Sequence, residues 1–239
     1  AGEQFVRCRF VVAADGQNSG LRREAGLNRV IGERRRYGFR RHYRVLPWSR
    51  DMELYWGPRG QIYVTPVSAH EVCLALLTQY RALRLDEALN DFPELRARVA
   101  GAAHASREQG ALTVSRSLAR VCRNDLALVG DASGSIDAVT GEGICLSFRQ
   151  SLALAAALRS GNLKDYEAEH HSLSKRPRIM ARLMLTLDDH VSLQRRALAG
   201  LAEQRDIFAS LLAIHVGAAS FADLISSRLF GFCRKFLVA

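Results

Sequence analysis

Two short apolar runs of the chain each end in an aspartate beside a glycine. Leu126 to Val129 is followed by Gly130-Asp131, and the segment Phe5 to Ala14 is followed by Asp15-Gly16. A short apolar run that stops at such a pair is typical of a buried strand in a parallel sheet. Open α/β sheets hold their ligands at the carboxyl ends of their strands. We therefore predict that both aspartates lie at the same edge of one parallel sheet.

Between these runs, from Arg36 to Leu77, the hydrophobic pattern has a period of two. Such alternation predicts half-buried strands, and the turn residues between them predict an antiparallel meander. On the first strand one face carries Tyr37, Phe39, Tyr43 and Val45, and the other carries Arg36, Arg40, His42 and Arg44. Further strands are predicted at Met52–Trp56, Gln61–Thr65 and Val72–Leu77. The pattern predicts an antiparallel sheet inserted between the two apolar runs.

Most of the remaining chain has helical spacing. Pro93 is predicted to start a second helical turn within the apolar series Leu85, Leu89, Phe92, Leu95 and Val99. Ser19 or Asn18 is expected to cap a short helix that stops at Gly26. A later helix is predicted from near Thr140 to Gly161. Beyond Asn162 the chain is expected to be helical, with Pro177 near the start of a long amphipathic helix.

These elements predict an α/β (α+β) fold in four segments. Residues 1–35 and 111–161 form part of a parallel sheet domain, with 111–121 as a returning strand. Residues 36–110 form the antiparallel domain, and residues 162–239 form a helical region. The apolar content is high enough for a substantial core.

Charge and cysteine content narrow the function classes. The formal net charge is +10, almost all of it from arginine, and a basic surface favours anionic ligands without selecting among them. No nucleic-acid-binding motif accompanies the charge, so we expect no nucleic-acid partner. The five cysteines lie far apart and are interpreted as reduced, mostly packed thiols of a cytoplasmic protein, with no metal site. The tail RLFGFCRKFLVA suits either a buried helix or peripheral contact with a membrane.

The loop between Gly130-Asp131 and the helix after it carries the clearest chemistry. Thr140 can cap that helix, and Glu142 suits the positive end of its dipole. Gly141 and Gly143 leave backbone N–H groups uncovered. A carboxylate at a strand tip facing a bare helix start can hold a hydroxylated, anionic ligand. The residues alone therefore predict a nucleotide or cofactor site.

The segment GDASGSIDAVTGEGI resembles the second FAD-binding signature of flavin-dependent oxidoreductases of the p-hydroxybenzoate hydroxylase and geranylgeranyl reductase superfamily. The resemblance implies that Asp131 binds the ribityl chain of FAD, and that Gly141 to Ile144 lie against the pyrimidine end of its ring system. Ala138 departs from the family, which often has proline there, and Gly134 replaces the histidine of many aromatic hydroxylases.

A second resemblance lies near the beginning of the chain. The string ADGQNSGLR matches the family motif that contributes to FAD and NAD(P)H binding, which implies cofactor roles for Asp15 and Gly16. Arg22 is then expected either to meet phosphate or to orient the loop. The family's substrate domain occupies the interval between the two motifs. Tyr63 falls in a loosely matching substrate motif, and Arg40 and His42 are substrate candidates or members of a solvated strand face.

The resemblance implies an FAD-dependent oxidoreductase reduced by NAD(P)H, with a small-molecule substrate that can be hydrophobic. A monooxygenase is expected first, a prenyl-chain reductase second and a halogenase third; no catalytic acid or base is assigned. The chain begins without Met and has no Gly-x-Gly-x-x-Gly fingerprint, so we interpret it as a C-terminal fragment that would hold FAD weakly by itself. The alternative from a different class is a non-catalytic fragment or interaction module.

Overall fold

A computed structural model describes residues 5–224 of the chain, which form two compact units divided after Gly143. The first unit contains nine strands and three short α-helices among its described residues. The strands are β1 (Val11–Ala13), β2 (Val30–Arg44), β3 (Glu53–Gly57), β4 (Gly60–Ser68), β5 (Glu71–Thr78), β6 (Ala103–His104), β7 (Gln109–Leu118), β8 (Cys122–Arg123) and β9 (Leu126–Leu128); the helices are α1 (Gly20–Glu24), α2 (Leu85–Ala88) and α3 (Pro93–Val99).

The two predicted apolar runs pair with each other. β1 and β9 are parallel neighbours in register Val11↔Leu126 to Ala13↔Leu128, and β8 lies antiparallel on the other side of β9. Ala127 and Leu128 of β9 are fully buried, as the absence of polar alternation predicted, whereas β1 is buried only at Ala13 and exposes Val11 and Val12. The mixed α/β fold with an inserted antiparallel sheet is confirmed.

The inserted sheet has the strand order β3-β4-β5-β2-β6, and β7 also pairs with β2. Strand β2 joins its two halves, because it pairs with β7 through its first part and with β5 through its second part. The alternating residues Phe39, Tyr43, Ile62, Val64 and Leu74 point to one face, where they form a hydrophobic core with α2 and α3. Opposite this core lies what we call the second face of the sheet, which carries Arg36, Arg40, His42, Gln61 and Tyr63.

Strand β2 begins at Val30, six residues before the predicted start of the alternating segment. The stretch from Val30 to Glu33 is exposed, so burial imposes no alternation on it, and pairing with β7 supplies the hydrogen bonds that make it a strand. The predicted segment boundaries at 35/36 and 110/111 fall inside β2 and β7. The division into four domains stays a prediction.

Local signals in the sequence place the short helices correctly. Ser19 caps α1, since its side-chain oxygen accepts a hydrogen bond from the Arg22 N–H, and Gly26 follows the helix with φ +67°. Pro93 is the first residue of α3, where its missing N–H costs no hydrogen bond. The predicted apolar residues of this region, Leu85, Leu89, Phe92, Leu95 and Val99, are buried.

The second unit is helical within the described residues. Its helices are α4 (Gly143–Ser160), α5 (Leu163–Asp189), α6 (Val191–Glu203) and α7 (Arg205–Val216). Gly143, the first residue of α4, is the last residue of the first unit. The position predicted for Pro177 was wrong, because this residue lies in the middle of α5. Its side chain belongs to a buried stripe at helical spacing, and packing of that stripe outweighs the backbone hydrogen bond that proline cannot make. The stripe consists of Leu163, Tyr166, His170, Ser174, Pro177, Ala181 and Leu185.

Two further predictions concern cysteines and membranes. Cys122 is buried and Cys73 is partly buried, but Cys8 and Cys145 are exposed, so the prediction of mostly packed thiols was wrong. Cys8 lies in the apolar run Phe5 to Ala14 and Cys145 in helix α4, so sequence spacing gave no sign of their exposure. Within residues 5–224 no helix combines the length and apolarity needed to cross a membrane. The tail predicted to contact a membrane, residues 228–239, lies outside the described residues.

Candidate cofactor site

The parallel pair β1 and β9 brings the two aspartate-containing loops to the same edge of the small sheet. Ala13 is opposite Leu128, and the Val129 N–H donates to the Ala13 carbonyl oxygen at 3.0 Å. Because the strands are parallel, the chain leaves both of them in the same direction. The loop that starts with Asp15-Gly16 and the loop that starts with Gly130-Asp131 therefore begin side by side, as the sequence predicted.

Asp15 is used by helix α1. Its Oδ2 accepts hydrogen bonds from the backbone N–H groups of Gly20 at 2.8 Å and Leu21 at 3.2 Å. A hydrogen bond from the Ser19 side chain and these backbone donors hold the pKa of Asp15 below its ordinary value. The carboxylate remains exposed, and its cofactor role stays a prediction.

Arg22 joins the two loops. Its side chain is only 2 % exposed, and all three guanidinium nitrogens donate hydrogen bonds inside the protein. Nε donates to Asn28, one terminal nitrogen to the Gln17 carbonyl, and the other to the Ala132 carbonyl at 3.0 Å. Of the two roles expected for Arg22, the geometry supports orientation of the loops.

Asp131 differs from Asp15 in having a free carboxylate. It follows Gly130, whose φ is +60°, directly after the tip of β9. Its side chain is exposed and accepts no hydrogen bond from residues 5–224. A carboxylate at the carboxyl end of a parallel strand, with its oxygens available, can accept hydrogen bonds from ligand hydroxyl groups.

The loop after Asp131 lies against β7. Gly134 has φ +108°, and a Cβ atom there would lie 2.7 Å from the Arg116 carbonyl oxygen. Ser135 and Arg116 exchange backbone hydrogen bonds of 3.0 and 2.9 Å. Gly134 is therefore required by backbone conformation and by the close approach to β7.

Asp137 shapes the turn that precedes α4. Residues Ala138–Thr140 form a short 3₁₀ turn, and Asp137 Oδ1 accepts the Val139 N–H at 3.0 Å. Thr140 donates to the Asp137 carbonyl oxygen, and Gly141, with φ +67°, ends the turn. Helix α4 consequently begins at Gly143, so the prediction that Thr140 caps a helix starting near it was wrong.

A buried ion pair connects this turn to the inserted sheet. Arg36 of β2 and Asp137 have side-chain exposures of 0 % and 1 %, and Arg36 donates to Asp137 Oδ1 at 3.1 Å. The other terminal nitrogen of Arg36 donates to Gln61 Oε1 at 2.7 Å and to the Leu77 carbonyl at 3.3 Å. Sequence reasoning placed Arg36 on a polar strand face but missed its partner. The available signal was an aspartate just before Ala138–Thr140, the pattern of a capped turn.

The predicted substrate residues are distributed over the second face of the sheet. The Tyr63 hydroxyl donates to the Val139 carbonyl oxygen at 2.5 Å, so it also contacts the turn before α4. Arg40 is exposed and donates to Gln109 at 2.6 Å, while His42 Nδ1 lies 3.2 Å from Ser106 Oγ. Their roles in substrate binding stay predictions. Within the described part of the chain no cluster of His, Cys, Asp or Glu could hold a metal ion.

The glycines at the site leave room for a ligand. Gly141 and Gly143 are exposed, and a Cβ atom at Gly16, Gly141 or Gly143 would meet no atom within 4 Å. The positive φ angles of Gly16 and Gly141 favour glycine, but Gly143 has no such angle. Open space at Gly143, at the N-terminal and therefore positive end of α4, suits close approach by a flat, anionic ring system. Glu142, between Gly141 and Gly143, is half-buried. Ile144 is the first residue of the second unit, and 72 % of its surface is exposed.

A family model described as an FAD binding domain matches residues 1–176, which include every element of this site. The chain belongs to the FAD-binding domain family. Its free Asp131 carboxylate, the open glycines and the parallel strand pair fit the ribityl chain and ring system of FAD. We regard FAD as the cofactor of this FAD-binding chain.

A curated relative is the digeranylgeranylglycerophospholipid reductase 2 of Methanothermobacter thermautotrophicus. It is 28 % identical over 218 residues, which cover 85 % of this chain and 54 % of the relative. The FAD-binding chain thus spans about half the length of the curated relative it matches.

Similar solved structures include the flavin-dependent brominase Bmp2, with a TM-score of 0.68 and 17 % identity over 90 % of this chain and 59 % of the brominase. The p-nitrophenol 4-monooxygenase PnpA of Pseudomonas putida has a TM-score of 0.60 and 17 % identity over 76 % of this chain and 50 % of the monooxygenase. At these identities the likeness concerns the fold.

Proposed function

We propose that the intact protein is an FAD-dependent oxidoreductase that uses NAD(P)H as reductant and acts on a small organic substrate. The observation that carries this proposal is the free carboxylate of Asp131 at the tip of β9, in the same loop as the open glycines Gly141 and Gly143. Bound FAD would supply the redox chemistry, and the protein would supply position and electrostatics.

Each element of the site has a separate task in this proposal. Asp131 accepts hydrogen bonds from ribityl hydroxyl groups. The backbone N–H groups at Gly143 favour negative charge on the nearby end of the ring system, because they lie at the positive end of helix α4. Arg22 keeps the two loops in place by donating to Ala132 and Gln17. The substrate would contact the second face of the inserted sheet, where Tyr63, Arg40 and His42 are the candidates.

Two reaction types fit this arrangement, and the choice between them is part of the proposal. Monooxygenation is the expectation from the sequence motifs, and monooxygenases occur among the solved structures that share the fold. Reduction of a carbon–carbon double bond in a prenyl chain is the second candidate. The curated reductase favours it, since it matches 85 % of this chain at 28 % identity, above the 17 % of the brominase and monooxygenase compared above.

Replacing Asp131 tests the cofactor assignment. In the intact protein, Asp131→Asn should weaken FAD binding roughly 10- to 100-fold, as expected for losing a charged acceptor worth about 1.5–3 kcal/mol. Asp125→Asn is the matched control, because Asp125 is an exposed aspartate immediately before the opposite end of β9. The dissociation constant is measured by quenching of flavin fluorescence. Equal constants for the two variants would contradict the assignment.

The reaction type is distinguished by oxygen dependence. NADH and NADPH oxidation are followed with and without oxygen, in the presence of aromatic and prenyl substrates. The masses of the products are determined by mass spectrometry. A product that gains one oxygen atom only in aerobic samples supports monooxygenation. A product that gains two hydrogen atoms without oxygen supports the reductase. Absence of flavin binding in the intact protein would contradict both.

A further inference from the structure

The Arg36–Asp137 pair occupies a point where three strands and one loop meet. Arg36 lies on β2, and its guanidinium reaches Gln61 on β4, the carbonyl of Leu77 on β5 and Asp137 in the loop after β9. Asp137 is separated from Arg36 by 101 positions in the chain. The pair therefore links the second face of the inserted sheet directly to the loop that runs from Asp131 to Gly143.

One oxygen atom of Asp137 serves two partners. Oδ1 accepts from Arg36 and also from the backbone N–H of Val139, the middle residue of the turn that ends at Gly141. The Tyr63 hydroxyl of β4 donates to the carbonyl oxygen of the same Val139. Two side chains from the sheet thus bind this short turn: Arg36 binds Asp137, and Tyr63 binds Val139. The position of Gly141 relative to the sheet is fixed by these contacts.

Stability alone gives little reason for a fully buried ion pair. Removing two charges from water is costly, and a well-packed apolar pair of similar volume is often as stable or more stable. An ion pair with oriented hydrogen bonds differs from an apolar contact in its directionality, because it fixes the positions of the groups that it joins. Functional sites need such fixed geometry, within about 0.5 Å, from residues that do not themselves touch the ligand.

We propose that Arg36 and Asp137 are positioning residues that set the Gly141–Gly143 segment at a fixed place beneath the second face of the inserted sheet. The inference rests on the proposed function, since it assigns FAD to that segment and substrate to that face. Neither residue contacts cofactor or substrate in this role. Arg36 and Asp137 determine the distance between cofactor and substrate. That distance sets the rate at which the flavin exchanges electrons with a substrate held by the sheet.

A matched control is present on the same strand. Arg41 is also a mostly buried arginine of β2 and forms an ion pair, with hydrogen bonds of 2.6 and 3.0 Å to Asp86. Its side chain lies on the core face of the sheet, toward α2, and makes no contact with the loop from Asp131 to Gly143. Loss of either pair destabilises the sheet, but loss of the Arg36 pair alone should alter the turn.

The test compares Arg36→Lys and Asp137→Asn with Arg41→Lys in the intact protein. Backbone hydrogen exchange in residues 138–143, measured without FAD, should accelerate about tenfold or more in the first two variants and stay unchanged in the control. With FAD, the first two should shift the visible flavin bands and slow substrate-dependent turnover roughly 10- to 100-fold, while KM for NAD(P)H is retained. Thermal unfolding is measured for all three.

The outcomes separate this inference from the proposed function. Unchanged exchange in residues 138–143, with thermal destabilisation similar to that of Arg41→Lys, would show a purely structural pair and overturn the inference. If the intact protein fails to bind FAD, the proposed function fails, but the exchange measurement still decides whether the pair holds the turn. If the charged variants do not fold, Tyr63→Phe removes the neighbouring contact with Val139 without a buried charge, and should accelerate the same exchange to a smaller extent.

Discussion

The guanidinium of Arg22 lies 3.0 Å from the carbonyl oxygen of Ala132, which is 110 positions later in the chain. The contact joins helix α1, after the Asp15 loop, to the loop that carries Asp131. With its bonds to Asn28 and Gln17, Arg22 holds the open ends of both strands of the parallel pair. It acts through the protein, and its predicted effects are therefore first on stability.

We predict that Arg22→Met lowers the free energy of unfolding by about 2–4 kcal/mol, because it leaves the buried Ala132 carbonyl without its donor and removes the hydrogen bonds to Asn28 and Gln17. The measurement is denaturant unfolding followed by circular dichroism. Arg23→Met is the control, since Arg23 is an exposed neighbour on α1 with one hydrogen bond to the Asn18 carbonyl. A larger decrease in the free energy of unfolding for Arg23→Met than for Arg22→Met would contradict the bridging role.

Gly134→Ala should destabilise the protein by about 2–3 kcal/mol, because the added Cβ lies too close to the Arg116 carbonyl oxygen and the φ of +108° disfavours a side chain. Gly32→Ala is the matched control: a Cβ there meets no atom within 4 Å and φ is not positive. Thermal unfolding of both variants is compared with the parent. Equal stability of the two would show that the loop can move away from β7.

The lowered pKa of Asp15 predicts a local pH dependence. A carboxyl whose folded pKa lies below its ordinary value of 3.8 stabilises the fold above that value, and the contribution is lost as the pH falls through the folded pKa. Ser19→Ala removes the first cause of the shift and should raise the pKa toward its ordinary value. Ser19→Thr keeps the hydroxyl and should retain the shift. NMR titration of the Asp15 carboxyl measures both; no difference between them would contradict the assigned cause.

His170 of α5 predicts a second pH dependence, in the helical unit. Burial, together with nearby Arg178 and His171, lowers the pKa of His170 from 6.5 to about 4. As the pH falls below 6.5 the unfolded chain takes up the proton first, so stability is full above 6.5 and is lost as the pH approaches 4. The loss is on the order of 3 kcal/mol.

Unfolding measured between pH 7 and about 4 tests this prediction. His170→Phe should flatten the pH dependence, whereas His171→Phe, at the exposed neighbouring position, should leave it in place. A parent protein with the same slope as the His170 variant would show that this histidine carries no linked proton.

The sequence predicted the parts of the fold that depend on nearby residues. The apolar run before Gly130 predicted β9, Ser19 predicted the start of α1, and Pro93 predicted the start of α3. In each case the physical cause lies within a few positions: burial of consecutive side chains, a capping oxygen, or a fixed φ. The same holds for Asp131, which follows its strand directly.

Features that depend on distant partners were not predictable in this way. Arg36 lies on the polar side of an alternating strand, a pattern typical of solvent exposure, yet the pairing with Asp137 buries it completely. The need for glycine at position 134 comes from the Arg116 carbonyl of another strand. A proline usually ends or kinks a helix, but α5 continues through Pro177 because the buried stripe around it is packed. These outcomes are set by tertiary contacts that one-dimensional patterns do not contain.

Because β1 pairs with β9, the chain between these two strands begins and ends at the same place in the small sheet. The chain leaves after Ala13 and re-enters at Leu126, on strands that are direct neighbours. Changes of length in the chain between them leave its two ends at the same spacing, so we expect the inserted sheet to tolerate replacement. On the proposed substrate role of the second face, a chimera that receives this sheet from another family member should inherit its substrate range, provided that the sheet carries the groups that contact the loop from Asp131 to Gly143. Those groups are an arginine in the position of Arg36 and, in the position of Arg116, a backbone carbonyl that accepts the Ser135 N–H.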